Sequence, residues 1–266
     1  MAITVKDIVS LLEEFAPPKL AEDWDTIGLQ TGSLQAKTKK IFVALDPSLQ
    51  TVQYATENGF DFLITHHPLF FKPLKRIESE SPLGKTLKYA LQHDLAIYCA
   101  HTNWDATFEG INDILVERFG LEKPHSLTPT RNDTPGLGRV GILKKEMTLT
   151  DLIGLVKEEL QVDHTRFVGD LKRMMKRIAI CSGSGSKLLD LARSHGVDCF
   201  ITGDIGYHIA LEAAEGGPAL IDPGHFAMEN IAVPVLAQWL KDQAKTKNWN
   251  IQVEYDEKGR DPFQFH

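Results

Sequence analysis

Cysteine is scarce here: 266 residues carry three, Cys99, Cys181 and Cys199, with no C-x-x-C spacing among them. Cys99 and Cys199 sit inside apolar runs and read as buried thiols. That usage fits a reducing, cytoplasmic setting. Long apolar runs are missing too, so no segment reaches membrane-spanning length. The first residues, Met1 to Asp7, lack a basic stretch followed by an apolar one, and no signal peptide is expected. Basic residues are in deficit, 29 Lys and Arg against 36 Asp and Glu, for a formal charge of −7. A general nucleic-acid or membrane-surface role is therefore not expected. What remains, 42% apolar and 24% charged, is the make-up of a soluble globular protein long enough for one large domain or two smaller ones.

The stretch Leu63-Ile64-Thr65-His66-His67-Pro68 organises the chain. The run from Phe60 to Ile64 reads as a buried strand, and it ends in two histidines and a proline. Before it, Thr4 to Phe15 reads as a helix with capping-box spacing at Thr4 and Asp7. Glu22 to Gly32 is turn-rich, Lys40 to Asp46 is a strand, and Leu49 to Asn58 is a helix stopped by Gly59. Gly84 to His93 reads as a helix and Leu95 to Ala100 as a strand that runs into His101. Glu122 to Gly141, rich in Pro, Thr and Gly, is the expected linker. The pattern then begins again. Thr148 to Leu155 echoes Thr4 to Leu11 at an offset of 144 (148 − 4). Lys40 to Thr65 aligns without a gap on Arg177 to Thr202, at an offset of 137 (177 − 40). Ile41/Ile178, Ala55/Ala192, Gly59/Gly196, Asp61/Asp198, Ile64/Ile201 and Thr65/Thr202 are identical pairs. A gapless echo of this length implies a duplicated α/β unit. The last helix, Ala227 to Lys241, carries an apolar stripe of Ile231, Val235, Leu236, Trp239 and Leu240. Ile251, Val253 and Tyr255 alternate as a closing strand.

Two strands end in a histidine with an acid four residues on: His101/Asp105 and His225/Glu229. If a helix starts there, both side chains lie on one face and can share an ion. Imidazole nitrogen and carboxylate oxygen suit Fe, Mn, Zn or Co. With His66 and His67 the chain offers four histidines and two acids at strand ends. Two ions about 3.5–4 Å apart can hold one water, lower its pKa and clamp a substrate oxygen. Taken singly, each pair also reads as a helix cap or a surface ion pair.

These motifs resemble a known family. His66-His67-Pro68, His101-Thr102-Asn103-x-Asp105-Ala106 and Gly224-His225-x-x-x-Glu229 are similar to the motifs of the dinuclear metal family named for the NGG-one-interacting factor. It is also known as type 2 GTP cyclohydrolase I. Trp24 to Gln30, Gly136 to Arg139, Cys181 to Gly185 and Thr202-Gly203-Asp204 extend the likeness over essentially the whole chain. Thr26 stands where Asn is common, and Trp104 where Leu is common. The resemblance implies an α/β fold of two intertwined, duplicated α/β domains with mixed sheets. With the repeat, it places a first domain at 1–128 plus 218–266 and a second at 129–217. It implies two divalent metal ions held by His66, His67, Asp105, His225 and Glu229, with Glu229 a bridge. One division gives His66, Asp105 and Glu229 to one ion and His67, His225 and Glu229 to the other. His101 matches a histidine close to the metals and is the candidate catalytic residue. The resemblance further implies a ring-shaped homo-oligomer, often a hexamer. It points to a hydrolase in which metal-bound hydroxide attacks a nucleotide-like substrate.

Weaker signals accompany these. Gly183-Ser184-Gly185 could cradle a phosphate or be a tight turn. Asp204 and His208 stand where the His pair stands in the first repeat, as cavity or loop residues. Arg139 could meet an anionic substrate or be salt-bridged. Two rival functions stay open: a non-catalytic metal-binding adaptor or metal-handling protein, and a phosphoester hydrolase using the same metals.

Overall fold

Thr4 opens the first element as expected. Its hydroxyl accepts from the Asp7 amide, and the Asp7 carboxylate accepts from the Thr4 amide at 2.8 Å. A computed structural model describes residues 2–129 and 135–264. Its chain divides into two compact units, Met1–Trp104 with Ala232–Gly259 and Asp105–Ile231 with Arg260–His266.

In the first unit, helix α1 (Val5–Phe15) buries Val5, Ile8, Val9, Leu11 and Leu12. Strand β1 (Gly28–Thr31) follows, then β2 (Lys40–Ala44), helix α2 (Leu49–Glu57) and β3 (Phe62–Thr65). Helix α3 (Pro82–Gln92) leads to β4 (Ala96–Cys99). The short helix α4 (Thr102–Ala106) carries the chain into the second unit. There it forms α5 (Ile111–Arg118), β5 (Leu121–Ser126), β6 (Arg139–Thr148), α6 (Leu149–Leu160), β7 (Arg166–Val168) and β8 (Met174–Cys181). Helix α7 (Leu189–Ser194), β9 (Cys199–Thr202), α8 (Tyr207–Ala214), β10 (Ala219–Asp222) and α9 (His225–Asn230) complete that unit. The chain then returns through α10 (Ala232–Thr246) and β11 (Gln252–Tyr255).

The first sheet has the order β1-β4-β3-β2-β11, parallel except for the β1–β4 pair. The second has the order β5-β6-β8-β9-β10-β7, with β8, β9 and β10 parallel and the other pairings antiparallel. Both sheets are mixed, and the chain threads from one unit to the other and back. These are the duplicated, intertwined α/β domains expected.

The duplication holds at the level of register. β2 pairs with β3 as Ile41↔Phe62 to Ala44↔Thr65; β8 pairs with β9 as Ile178↔Cys199 to Cys181↔Thr202. Each pair maps onto the other at the 137-residue offset. The identical aspartates explain part of this. Asp61 accepts from the amides of Lys39 and Lys40, and Asp198 from those of Lys176 and Arg177. Each carboxylate ties down amides just before the parallel pairing begins, at Ile41 in β2 and Ile178 in β8. The core positions also correspond: Phe42, Ala44, Val52, Ala55, Phe60 and Leu63 in the first unit, Ala179, Cys181, Leu189, Ala192, Val197 and Phe200 in the second. Large and small residues trade places along the list, as close packing allows when summed volume is kept.

Several expectations need correcting. The Glu122–Gly141 stretch is not a linker at its ends, and residues 130–134 within it lie outside the described residues. Its ends are strands β5 and β6, paired antiparallel. Pro124 fits there because β5 is the edge of its sheet. Glu22–Gly32 is not all turn, since Gly28–Thr31 forms β1 against β4. The last helix is broken at Ile231 into α9 and α10, and within it Val235 is exposed. Trp239 stacks on Phe15 at 4.6 Å. By compactness the chain divides at 104/105 and 231/232, and β5 and β10 both pair into the second sheet.

Candidate metal centre

The first unit gathers three imidazoles. The parallel ladder continues past β3: the His66 amide donates to Ala44 and the His67 amide to Leu45. Both residues therefore leave the strand on a fixed backbone. His101 follows β4, next in the sheet. Ligand nitrogens of His66, His67 and His101 all lie within 4.8 Å of one another. Each Nδ1 has an oxygen partner. His66 Nδ1 meets the Ala100 carbonyl at 3.0 Å, His67 Nδ1 meets Asp46 Oδ1 at 2.7 Å, and His101 Nδ1 meets Asp25 Oδ1 at 2.8 Å. An oxygen at Nδ1 fixes the ring and puts the lone pair on Nε2, the arrangement that metal-binding histidines use. Asp25 is itself well held. Burial pushes its carboxyl up, but hydrogen bonds from His101 and Thr102 outweigh that and bring it down to about 2.

The second unit gathers the acids. Helix α9 begins at His225, so His225 and Glu229 share a face as their spacing implied, with Nε2 2.9 Å from Oε2. His225 Nδ1 meets Asp204 Oδ2 at 2.7 Å. Carboxylate oxygens of Asp105 and Glu229 come within 4.8 Å of each other, and both residues are buried. Ser182 donates its hydroxyl to Asp105 Oδ1 at 2.7 Å, and Asn112 binds the Asp105 carbonyl and the Ser182 amide. Gly183 makes room for Glu229. Its φ is +57°, and a Cβ there would sit 2.1 Å from Glu229 Oε1. Cys181 lies close by, but burial and then the charges of Asp105 and Glu229 raise its pKa far above the usual thiol range. It stays a neutral thiol, and the donors are nitrogen and oxygen.

Two buried carboxylates this close repel unless a cation or a shared proton lies between them. A Nδ1-protonated imidazole facing a carboxylate at 2.9 Å makes the same demand. The donor set therefore fits a divalent metal ion of the kind that takes imidazole and carboxylate.

The remaining sequence candidates sort themselves. Asp204 belongs to this cluster through His225, whereas His208 is exposed and meets Tyr207 edge-on at 5.4 Å. Gly183-Ser184-Gly185 is a tight turn: the Gly185 amide is spent on Thr202 Oγ1 at 2.9 Å. Arg139 is buried and salt-bridged, its guanidinium on Asp113 and on the carbonyls of Thr107, Gly136 and Gly138. Sequence reasoning missed Asp46 and Asn112. A lone Asp after a strand and an Asn inside a helix carry no distinguishing pattern.

The Duf34/NIF3 (NGG1p interacting factor 3) family model matches residues 3–262. The chain belongs to this family. Relatives named GTP cyclohydrolase 1 type 2 homolog include one from Clostridium acetobutylicum, 35% identical over 267 positions with the whole of both chains covered. Another, from Clostridium perfringens, is 36% identical over 98% of this chain and 99% of its own. Among solved structures, a Bacillus cereus protein related to NIF3 superposes with a TM-score of 0.94 at 26% identity over both whole chains. Reduced HcgD from Methanocaldococcus jannaschii gives 0.83 at 30% identity over 97% of this chain and 99% of its own. Among the described residues no helix of this NIF3-family chain is long and apolar enough to cross a membrane.

Proposed function

We propose that this chain is a metal-dependent hydrolase that uses His66, His67, Asp105, His225 and Glu229 to hold two divalent ions. His66, Asp105 and Glu229 serve one ion, His67, His225 and Glu229 the other, with Glu229 common to both. The observation that carries this is the buried pair of carboxylates, Asp105 and Glu229, in a cradle that Gly183 keeps open. Bound ions of this kind supply an acidified water and polarise a substrate oxygen. The chain's own residues do the rest. Asp46 and Asp204 orient His67 and His225, and Ser182 fixes Asp105. His101, backed by the ionised Asp25, is placed to hold or pass a proton at Nε2.

The relatives' shared name makes GTP the first substrate to try. Purified protein loaded with Fe, Mn or Zn should release formate from GTP and lose that activity in Glu229→Ala. No turnover by the wild type, or equal turnover by the variant, would remove the hydrolase reading. The family's description as an interacting factor favours a second reading, a metal-binding adaptor without turnover. It predicts bound metal and a recoverable protein partner, with no saturable activity on nucleotides or phosphoesters. The same reading of the family makes a ring-shaped homo-oligomer the expected assembly, which sedimentation would check.

A further inference from the structure

Around the histidine cluster of the first unit, exposure rises in steps. His66 is fully buried, His101 is 9% exposed, and Trp24 and Phe71 are 62% and 59% exposed. Large aromatic side chains are usually put away, and pairs left out beside a polar cluster mark contact sites. Both rings converge on one imidazole. Trp24 stands edge-on to His101 with centroids 5.9 Å apart and planes at 79°. Phe71 does the same at 6.2 Å and 89°, and it also lies 6.4 Å from His67. Both rings stand nearly perpendicular to the His101 plane rather than stacked on it.

We infer that Trp24 and Phe71 form an aromatic rim that receives a planar heteroaromatic ring of the substrate beside the histidine cluster. The inference rests on the metal-centre reading and adds to it the residues that would hold the substrate's ring. The imidazoles of His66, His67 and His101 supply polar groups, and the two exposed rings supply flat apolar surface beside them. Sites for small ring-bearing ligands combine these two features.

The test uses the full, metal-loaded chain in titration calorimetry, with guanosine 5′-monophosphate as the ringed probe and ribose 5-phosphate as the ringless one. The ringed probe should bind roughly tenfold tighter or better. Trp24→Ala and Phe71→Ala should each weaken it roughly tenfold and leave ribose 5-phosphate within about twofold. Trp24→Phe should keep most of the affinity, which separates stacking from a folding defect. The fluorescence of Trp24 should be quenched by the ringed probe, and that quenching should vanish in Trp24→Phe. Equal affinity for the two probes, or equal loss of both in the variants, overturns the inference. So does a Trp24→Ala protein that binds normally and changes only its sedimentation, the result if a second copy covers the rim. Elemental analysis keeps the two readings apart. Full metal content without ring preference sinks the rim alone, whereas ring preference without metal supports the rim and sinks the metal centre.

Discussion

In the first unit, the loop after β2 carries an acid, Asp46, and the end of β3 carries the imidazoles of His66 and His67. In the second unit, the matched loop position is Gly183, and the matched strand end is Gly203-Asp204. The matched strand-end position thus supplies the histidine of an Asp–His pair in one unit (His67) and the acid of one in the other (Asp204), whose imidazole, His225, comes from α9 and not from the matched loop. Asp46 holds His67 in one unit and Asp204 holds His225 in the other, at 2.7 Å each time. The lesson concerns what duplication preserves. The frame-holding residues, Asp61/Asp198 and Gly59/Gly196, stayed identical. The strand-end positions diverged, one toward nitrogen donors and the other toward oxygen donors and empty space. Gly203 shows the same economy: a Cβ there would meet the His225 backbone at 2.8 Å.

The sharpest way to break this comparison is at position 183. Gly183→Ala strains a left-handed residue and collides with Glu229, so metal content should fall below roughly a tenth of wild type. Asp46→Ala, at the matched position, should lower metal affinity about 10–100-fold and still fill at saturating metal. Equal effects at the two positions, measured by metal titration, would show that the units do not differ as described.

The frame should respond more evenly. Asp61 accepts from Thr38, Lys39 and Lys40, whereas Asp198 accepts two backbone amides. Asp61→Ala should cost about 3 kcal/mol of stability and Asp198→Ala about 2, read from urea unfolding. A reversed order would count against the hydrogen-bond account.

A smaller effect is pH-dependent and confined to the first unit. The Asp25 carboxyl is lowered in the folded protein to about 2. Its stabilisation is therefore complete above its unfolded value near 3.9 and is lost as pH falls through about 2. Asp25→Asn should flatten the acid limb of the stability curve below about pH 4 and leave the limb above about pH 6 parallel to wild type. An unchanged acid limb would contradict the hydrogen-bond network around His101. The smallest effects belong to the two capping boxes. Thr4→Ala and Thr148→Ala remove equivalent caps, and each should cost about 1 kcal/mol in thermal unfolding. Unequal costs would place one helix outside the repeat's shared logic.

Much of this was legible in the sequence because the frame repeats where physics demands identity. Asp61/Asp198 holds the amides where the parallel pairing begins, Ala55/Ala192 sits in the core, and Gly59/Gly196 takes a left-handed turn. The strand-end histidines and acids stood out because their spacing matches a helix turn. Strand β1 did not stand out, since it is short, half-buried and set among turn residues. Strand β5 hid behind an exposed, proline-bearing edge sequence, LEKPHS. The supporting groups around the centre were harder still. Asp46, Ser182 and Asn112 are ordinary polar residues whose roles come only from which oxygen or nitrogen they meet.

Anomalous scattering from crystals grown with a transition metal tests the central claim most directly. The account predicts two ions per chain, ligated by His66, His67, Asp105, His225 and Glu229, with Glu229 touching both. Ions bound to other residues, or a single ion that leaves Glu229 untouched, would contradict it.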